Sequence, residues 1–245
     1  DAATPGHAIL ASNTSSLSIT EIGEATLRPD KVVGFHFFYP ASVMPLVEVV
    51  VGDDTTAETA TASYNFAQAI RKQPIVCAEV PGFVVNRILM ATIGEIWRAQ
   101  EEQGLSLKGI DEAIAPAKVA PMGPFFLTDL LGLDTVLHVA EHLSASYGEG
   151  FYVHRGLQQL VADGKLGAKS GGEGFFKDGE PNVPGETEPD AEELVAMFTG
   201  RALIEACSLV EEGVCSVRDI DVGMMTGAGL DPRKGLFPPF WKADL

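Results

Sequence analysis

Short apolar runs separated by polar breaks fill the first third of the chain, and a helical period replaces them afterwards. Ala8-Ile9-Leu10-Ala11 stops abruptly at Ser12-Asn13-Thr14-Ser15-Ser16. A run of this kind predicts a buried parallel strand ending in hydroxyl and amide side chains. Ser18-Ile19-Thr20-Glu21 has the S-x-x-E form of a capping box and predicts a short helix. Residues 31–37 and 46–51 predict a second and a third strand, the latter rich in Val between Pro45 and Gly52. Thr55-Thr56-Ala57-Glu58 offers a second capping box to an Ala-rich helix reaching about Lys72, and residues 74–78 predict a last short strand. Strands interleaved with helices predict an α/β layer to about residue 80.

From Pro81-Gly82 onward the spacing changes. Phe83, Val84, Ile88, Leu89, Ala91, Ile93, Ile96 and Trp97 recur on one helical face, and Gly104 is placed to end the helix. Further helices are predicted over 107–115, 127–147 and 156–163, followed by a Gly-, Pro- and acid-rich loop over 167–189 and renewed helical periodicity from Asp190. That renewal echoes the first helical stretch. Glu95, Glu101-Glu102, Gly104, Ser106 and Ile110-Asp111 return as Glu205, Glu211-Glu212, Gly213, Ser216 and Ile220-Asp221, and Gly123-Pro124-Phe125 as Phe237-Pro238-Pro239-Phe240. The echo predicts a structural duplication. Three parts are expected: an α/β part over 1–80, a helical part over 81–180, and a second, structural helical copy over 181–245.

Composition narrows the possible functions. With 245 residues, 46% of them apolar, the chain is long enough for more than one domain. It lacks the run of about 20 apolar residues that a membrane span needs, and it shows no basic-then-apolar leader, so a cytoplasmic protein is expected. The net charge of −17 argues against nucleic acid and anionic membrane surfaces as partners. Cys77, Cys207 and Cys215 are an odd count without metal spacing, which predicts free thiols. No His, Cys and carboxylate set has metal spacing, because His138 and His142 lack an acid in register, so no metal is expected. Gly164-Lys165-Leu166-Gly167-Ala168-Lys169-Ser170-Gly171 does not match G-x-x-x-x-G-K-[ST], and no strand precedes it.

The sharpest chemical signal is His36 in Gly34-Phe35-His36-Phe37-Phe38 and Glu48 in Leu46-Val47-Glu48-Val49-Val50. Burying either ionisable group in such apolar company costs several kcal/mol unless it finds a partner, and each is the natural partner of the other. A carboxylate on one ring nitrogen fixes the tautomer and stabilises the imidazolium, as a general base requires. A lone His among aromatics is more often a satisfied core residue. The strand ending at Ser12–Ser16 tips the balance, because ligands of open α/β sheets bind beyond the carboxyl ends of strands. Asn86, near the start of the Pro81-Gly82 helix, is a candidate for substrate contact, although a helix-start amide bonded to local backbone would look the same.

Together these runs, with Pro81-Gly82-Phe83-Val84-Val85-Asn86-Arg87, Pro121-Met122-Gly123-Pro124-Phe125 and Gly132-Leu133-Asp134, resemble the 3-hydroxyacyl-CoA dehydrogenase family of fatty-acid β-oxidation. The duplicated helical stretch is most similar to the dehydrogenase part of multifunctional fatty-oxidation enzymes, which also carry an enoyl-CoA hydratase region. The resemblance implies the C-terminal half of a Rossmann-type NAD-binding domain followed by duplicated helical C-terminal domains. It implies NAD as cofactor, an acyl-CoA substrate, pairing of the helical copies or a homo-oligomer, and a thiolase partner in the multifunctional form. His36 would be the catalytic base and Glu48 its orienting carboxylate. Ser15 and Asn86 would contact the substrate, and Asn13, Ser15 and Tyr39 the cofactor, with Tyr39 standing where the family usually has Asn. The G-x-G-x-x-G turn is expected before Asp1, so this chain alone is expected to bind NAD weakly and to be inactive. Two alternatives stay open: a dehydrogenase of small hydroxy acids, and a non-catalytic helical dimerisation module.

Overall fold

The computed structural model describes residues 3–115 and 120–230. In chain order its elements are β1 (Leu10–Ser12), α1 (Ile19–Glu24), β2 (Val32–Phe37), β3 (Leu46–Val51), α2 (Ala57–Ala69) and β4 (Gln73–Ala78). Helices α3 (Val85–Gln103), α4 (Leu107–Ile114), α5 (Pro124–Leu131), α6 (Leu133–Tyr147) and α7 (Arg155–Ala162) follow. A short hairpin of β5 (Phe176–Lys177) and β6 (Glu180–Pro181) precedes α8 (Ala191–Glu211) and α9 (Val217–Gly227).

The first four strands form one sheet in the order β1-β2-β3-β4, parallel, antiparallel and parallel in turn. This is the α/β layer that the interleaved pattern predicts. Side chains alternate across a strand, so the register Gly34↔Val50, Phe35↔Val49, His36↔Glu48 divides the residues between two faces. Val33, Phe35, Val47 and Val49 pack with Ala67 of α2 in one buried cluster. His36, Leu46, Glu48, Val50, Ile75 and Cys77 share the opposite face. Helix α9, far along the sequence, covers that face. A β-carbon at Gly223 would stand 3.2 Å from Ile75, and one at Gly227 would stand 2.3 Å from Leu46. Just before α9, Val214 O accepts from Ala78 N at 2.8 Å.

Contacts divide the described residues into two units. The first holds the sheet with residues through Asn86 and with Ala206–Ala228, and the second holds Arg87–Glu205 with residues 229 and 230. The boundaries fall inside α3 and α8, so the second helical stretch is shared between the units.

The structure corrects several local expectations. The single helix expected over 127–147 is two helices, because Gly132 takes φ 94°, a conformation open to glycine and expensive for other residues. Helix α5 also starts earlier, with Pro124 at its first position, where a missing N–H does no harm. Within the expected loop over 167–189, Asp178-Gly179 turns the β5–β6 hairpin with φ 52° and 81°, a pair suited to such turns. Helix α2 is capped by Thr56, whose hydroxyl accepts from Thr59 N, while the Thr55 hydroxyl donates to Val32 O.

The echo in the sequence corresponds to repeated turns. Helix α3 runs to a left-handed Gly104 and α8 to a left-handed Gly213. Beyond them, Leu105 N donates to Gln100 O at 3.1 Å and Val214 N to Leu209 O at 2.9 Å, the outer bond of a Schellman closure. Ser106 and Ser216 then cap α4 and α9. The Phe237-Pro238-Pro239-Phe240 part of the echo lies outside the described residues. Among the described residues, no helix is long and apolar enough to cross a membrane and no cluster could hold a metal ion. Among the described residues, Cys77, Cys207 and Cys215 form no disulfide.

Candidate active site

Antiparallel pairing sets His36 directly opposite Glu48, so both side chains leave the same face. His36 Nδ1 and Glu48 Oε2 stand 2.7 Å apart, with His36 5% and Glu48 0% exposed. A carboxylate buried this deeply needs all its acceptor capacity met. Its second oxygen, Oε1, accepts from Val84 N at 3.2 Å and Val85 N at 3.0 Å. These amides stand at the start of the 19-residue α3, where unpaired N–H groups and the helix dipole favour negative charge. A carboxylate can only accept, so the neutral imidazole of His36 carries its proton on Nδ1 and presents Nε2 as an acceptor. Nε2 bonds to no described residue.

The turn before α3 explains how those amides reach Glu48. Gly82 has φ 78° and Phe83 φ 50°. The left-handed region costs a bulky L-residue about 1–2 kcal/mol and persists only where the surroundings enforce it. Phe83 is buried, with its ring edge-on to the His36 imidazole at 5.5 Å between centroids and 64° between planes. Phe38 makes a second such contact, at 4.7 Å and 62°. The sequence reading missed Phe38, Phe83 and the two amides as site elements. Pro81-Gly82 just ahead of a helical run was the signal that a backbone reversal stands there.

The remaining candidates lie around the carboxyl end of β1 and the start of α3. Asn13 Oδ1 accepts from Phe37 N at 2.9 Å, extending the β1–β2 pairing and fastening the backbone beside His36. Its two amide N–H groups remain for another ligand. The Thr14 hydroxyl accepts from Ser16 N and Leu17 N, at 3.2 and 2.7 Å, and holds the turn. The half-buried Ser15 hydroxyl bonds to no described residue. Asn86, also half-buried, follows the Val85 amide directly and makes no side-chain bond to a described residue. Tyr39 is 71% exposed. Thus the structure joins His36 to Glu48, and Asn13 to the backbone beside them, while no bond ties Ser15, Asn86 or Tyr39 to the pair. Cys77 lies on the same face, where burial, with the Glu48 charge adding to it, pushes its thiol well up and disfavours the thiolate.

Residues 1–80 match the family profile described as 3-hydroxyacyl-CoA dehydrogenase, NAD binding domain, and residues 82–178 the profile 3-hydroxyacyl-CoA dehydrogenase, C-terminal domain. A 3-hydroxybutyryl-CoA dehydrogenase of Clostridioides difficile is 45% identical over 66% of this chain and 58% of its own length. The fatty acid oxidation complex subunit alpha of Shewanella amazonensis is 35% identical over 96% of this chain and 34% of its own length. The crystal structure of 3-hydroxybutyryl-CoA dehydrogenase from Escherichia coli K12 superposes with a TM-score of 0.77 at 27% identity, covering 91% of this chain and 66% of that one. The chain thus spans only part of each of these proteins. Two successive domains of one family match it in order, across the sheet that carries the His–Glu pair and the helices that follow. The chain belongs to the 3-hydroxyacyl-CoA dehydrogenase family.

Proposed function

We propose that the protein carrying this chain oxidises L-3-hydroxyacyl-CoA to 3-ketoacyl-CoA in fatty-acid β-oxidation. His36 is the general base, Glu48 orients it, and Ser15 and Asn86 contact the hydroxyl or carbonyl end of the substrate. One arrangement carries this assignment: the 2.7 Å contact of His36 Nδ1 with a Glu48 carboxylate that the Val84 and Val85 amides hold from behind. It leaves Nε2 to take the proton of the C3 hydroxyl, and Glu48 then stabilises the imidazolium. Burial keeps water from screening that ion pair, which strengthens it as it forms.

NAD, the cofactor of the domain matched over residues 1–80, would supply the acceptor for the hydride at C3 when bound. Residues at the carboxyl end of β1 fit its nicotinamide end. The Ser15 hydroxyl is unbonded among described residues, and Asn13 keeps its amide N–H donors, with Tyr39 a third contact at the exposed rim. The chain contains no G-x-G-x-x-G run for the pyrophosphate, so by itself it is expected to bind NAD weakly and to be inactive. The similarity to a fatty acid oxidation complex subunit alpha across 96% of the chain supports a multifunctional setting, and three cysteines outside any disulfide suit the reducing cytoplasm we propose for it.

The test is NADH formation from L-3-hydroxybutyryl-CoA by the complete protein. His36→Gln is expected to lower kcat about 10²–10⁴-fold, and near-normal turnover would remove His36 from the base role. Efficient turnover of free 3-hydroxybutyrate in place of the thioester would move the assignment to small hydroxy acids.

A further inference from the structure

We propose that Phe83 is a positioning residue for the His36 base, an inference that rests on the function proposed above. Three non-glycine residues among those described have a left-handed backbone: Arg71, Phe83 and Asp178. Arg71 and Asp178 are exposed, one just past the end of α2 and the other in a hairpin turn. Phe83 adopts this conformation while 3% exposed, so packing and hydrogen bonding must impose it. Phe83 N donates to Val80 O at 2.9 Å, closing the reversal, and the next two amides both reach Glu48 Oε1.

The side chain acts on the other member of the pair. The imidazole is held by its bond to Cβ and by the one hydrogen bond at Nδ1, a soft restraint on rocking about the Cβ–Cγ axis that would carry Nε2 off the position of the substrate hydroxyl. Edge contacts from Phe83 and Phe38 oppose that rocking. Phe83 therefore works at both ends of the dyad, its backbone aiming the donors at Glu48 and its ring steadying His36. Displacing a reacting atom by about 1 Å can cost about a hundredfold in rate, so losing one of two ring contacts is expected to lower kcat about tenfold.

Phe83→Gly bears chiefly on the ring, because glycine accepts the left-handed backbone without strain while the aromatic side chain is lost. In the complete protein this variant is expected to lower kcat about tenfold with KM for L-3-hydroxybutyryl-CoA within about twofold. The His36 Nδ1 proton, followed by NMR, is expected to exchange with water faster than in the wild type. Phe83→Tyr, which keeps the ring, is expected to restore both readouts. Should Phe83→Gly fail to fold, Phe83→Leu keeps apolar bulk without the flat edge and is expected to show the same kcat loss and faster exchange. Wild-type kcat with unchanged proton exchange, or a kcat loss that Phe83→Tyr does not restore, would overturn the assignment. If the complete protein oxidises no 3-hydroxyacyl-CoA, the dehydrogenase assignment fails by itself, and the proton exchange alone decides the role of Phe83.

Discussion

Each contact unit buries a histidine, and the two are wired in opposite ways. In the α/β unit, His36 commits Nδ1 to Glu48 and keeps Nε2 unbonded among the described residues. In the helical unit, His154 is 0% exposed and commits both nitrogens. Its Nδ1 accepts from Leu157 N at 3.1 Å as the N-cap of α7, and its Nε2 faces Gln100 Oε1 at 2.8 Å. An accepting Nδ1 puts the proton on Nε2, the tautomer opposite to that of His36. Gln100 passes the connection on to Leu105 O and Pro184 O, and the rings of Trp97, Phe125 and Phe175 stand edge-on around the imidazole. Burial pushes His154 down to about 4, against the pull of the Glu101 charge. Burial alone therefore does not mark a functional histidine. The proposed base role of His36 rests on the nitrogen left over once the Glu48 bond is made.

The contrast breaks most sharply at Glu48. In Glu48→Gln an oxygen can still accept from the Val84 and Val85 amides, but the amide nitrogen then donates to His36 Nδ1 and forces the proton onto Nε2, as in His154. The expected result is a fall of about 10²–10⁴-fold in kcat, with KM for the acyl-CoA within about twofold. An equal loss of binding and rate would make Glu48 a substrate contact instead.

His154 offers the next largest effect, in stability. The unfolded chain protonates this group near 6.5 and the folded chain only near 4. Between those values the unfolded state binds more protons, so stability is complete above pH 6.5 and falls as pH drops toward 4, by about 3 kcal/mol. Asp111 runs the other way. It accepts from Phe125 N and Phe126 N, yet burial pushes it from 3.8 up to about 6, so its ionisation lowers stability as pH rises through that window. The wild type alone superimposes these slopes. The gap in unfolding free energy between wild type and His154→Asn isolates the first, and is expected to narrow by about 3 kcal/mol as pH falls from 6.5 to 4. A gap that does not change with pH would mean that His154 is not held neutral.

The smallest effect compares the repeated turns. Ser216 forms a full capping box with Asp219, while Ser106 accepts from Gly109 N alone. Ser216→Ala is expected to cost about 1 kcal/mol and Ser106→Ala less, read as shifts in denaturant midpoint. The reverse order would show that the reciprocal Asp219 bond adds nothing.

Much of this was legible before any fold was known. Val47, Val49 and Val50 around Glu48, and Phe35 and Phe37 around His36, mark strands whose ionisable members had to meet. The Ser caps and the glycines after α3 and α8 marked the duplicated turns. Three features escaped the sequence reading for identifiable reasons. Gly132 splits a helix by its φ alone, without disturbing the apolar period that signals a helix. The Val84 and Val85 amides belong to backbone, which carries no residue-type signal. Phe83 reads as one more apolar residue of α3, because conformation rather than side-chain chemistry sets it apart.

The sequence by itself determined the four strands of the first 80 residues, most of the helices and the presence of a buried acid and base, since periodicity and turn chemistry act within a few neighbouring residues. Only the tertiary structure decided that β2 and β3 run antiparallel with His36 facing Glu48, that amides 36 and 37 residues onward hold that carboxylate, and that α9 covers the same sheet face. Those outcomes are the sum of many weak contacts between segments distant in sequence, and no local window contains them.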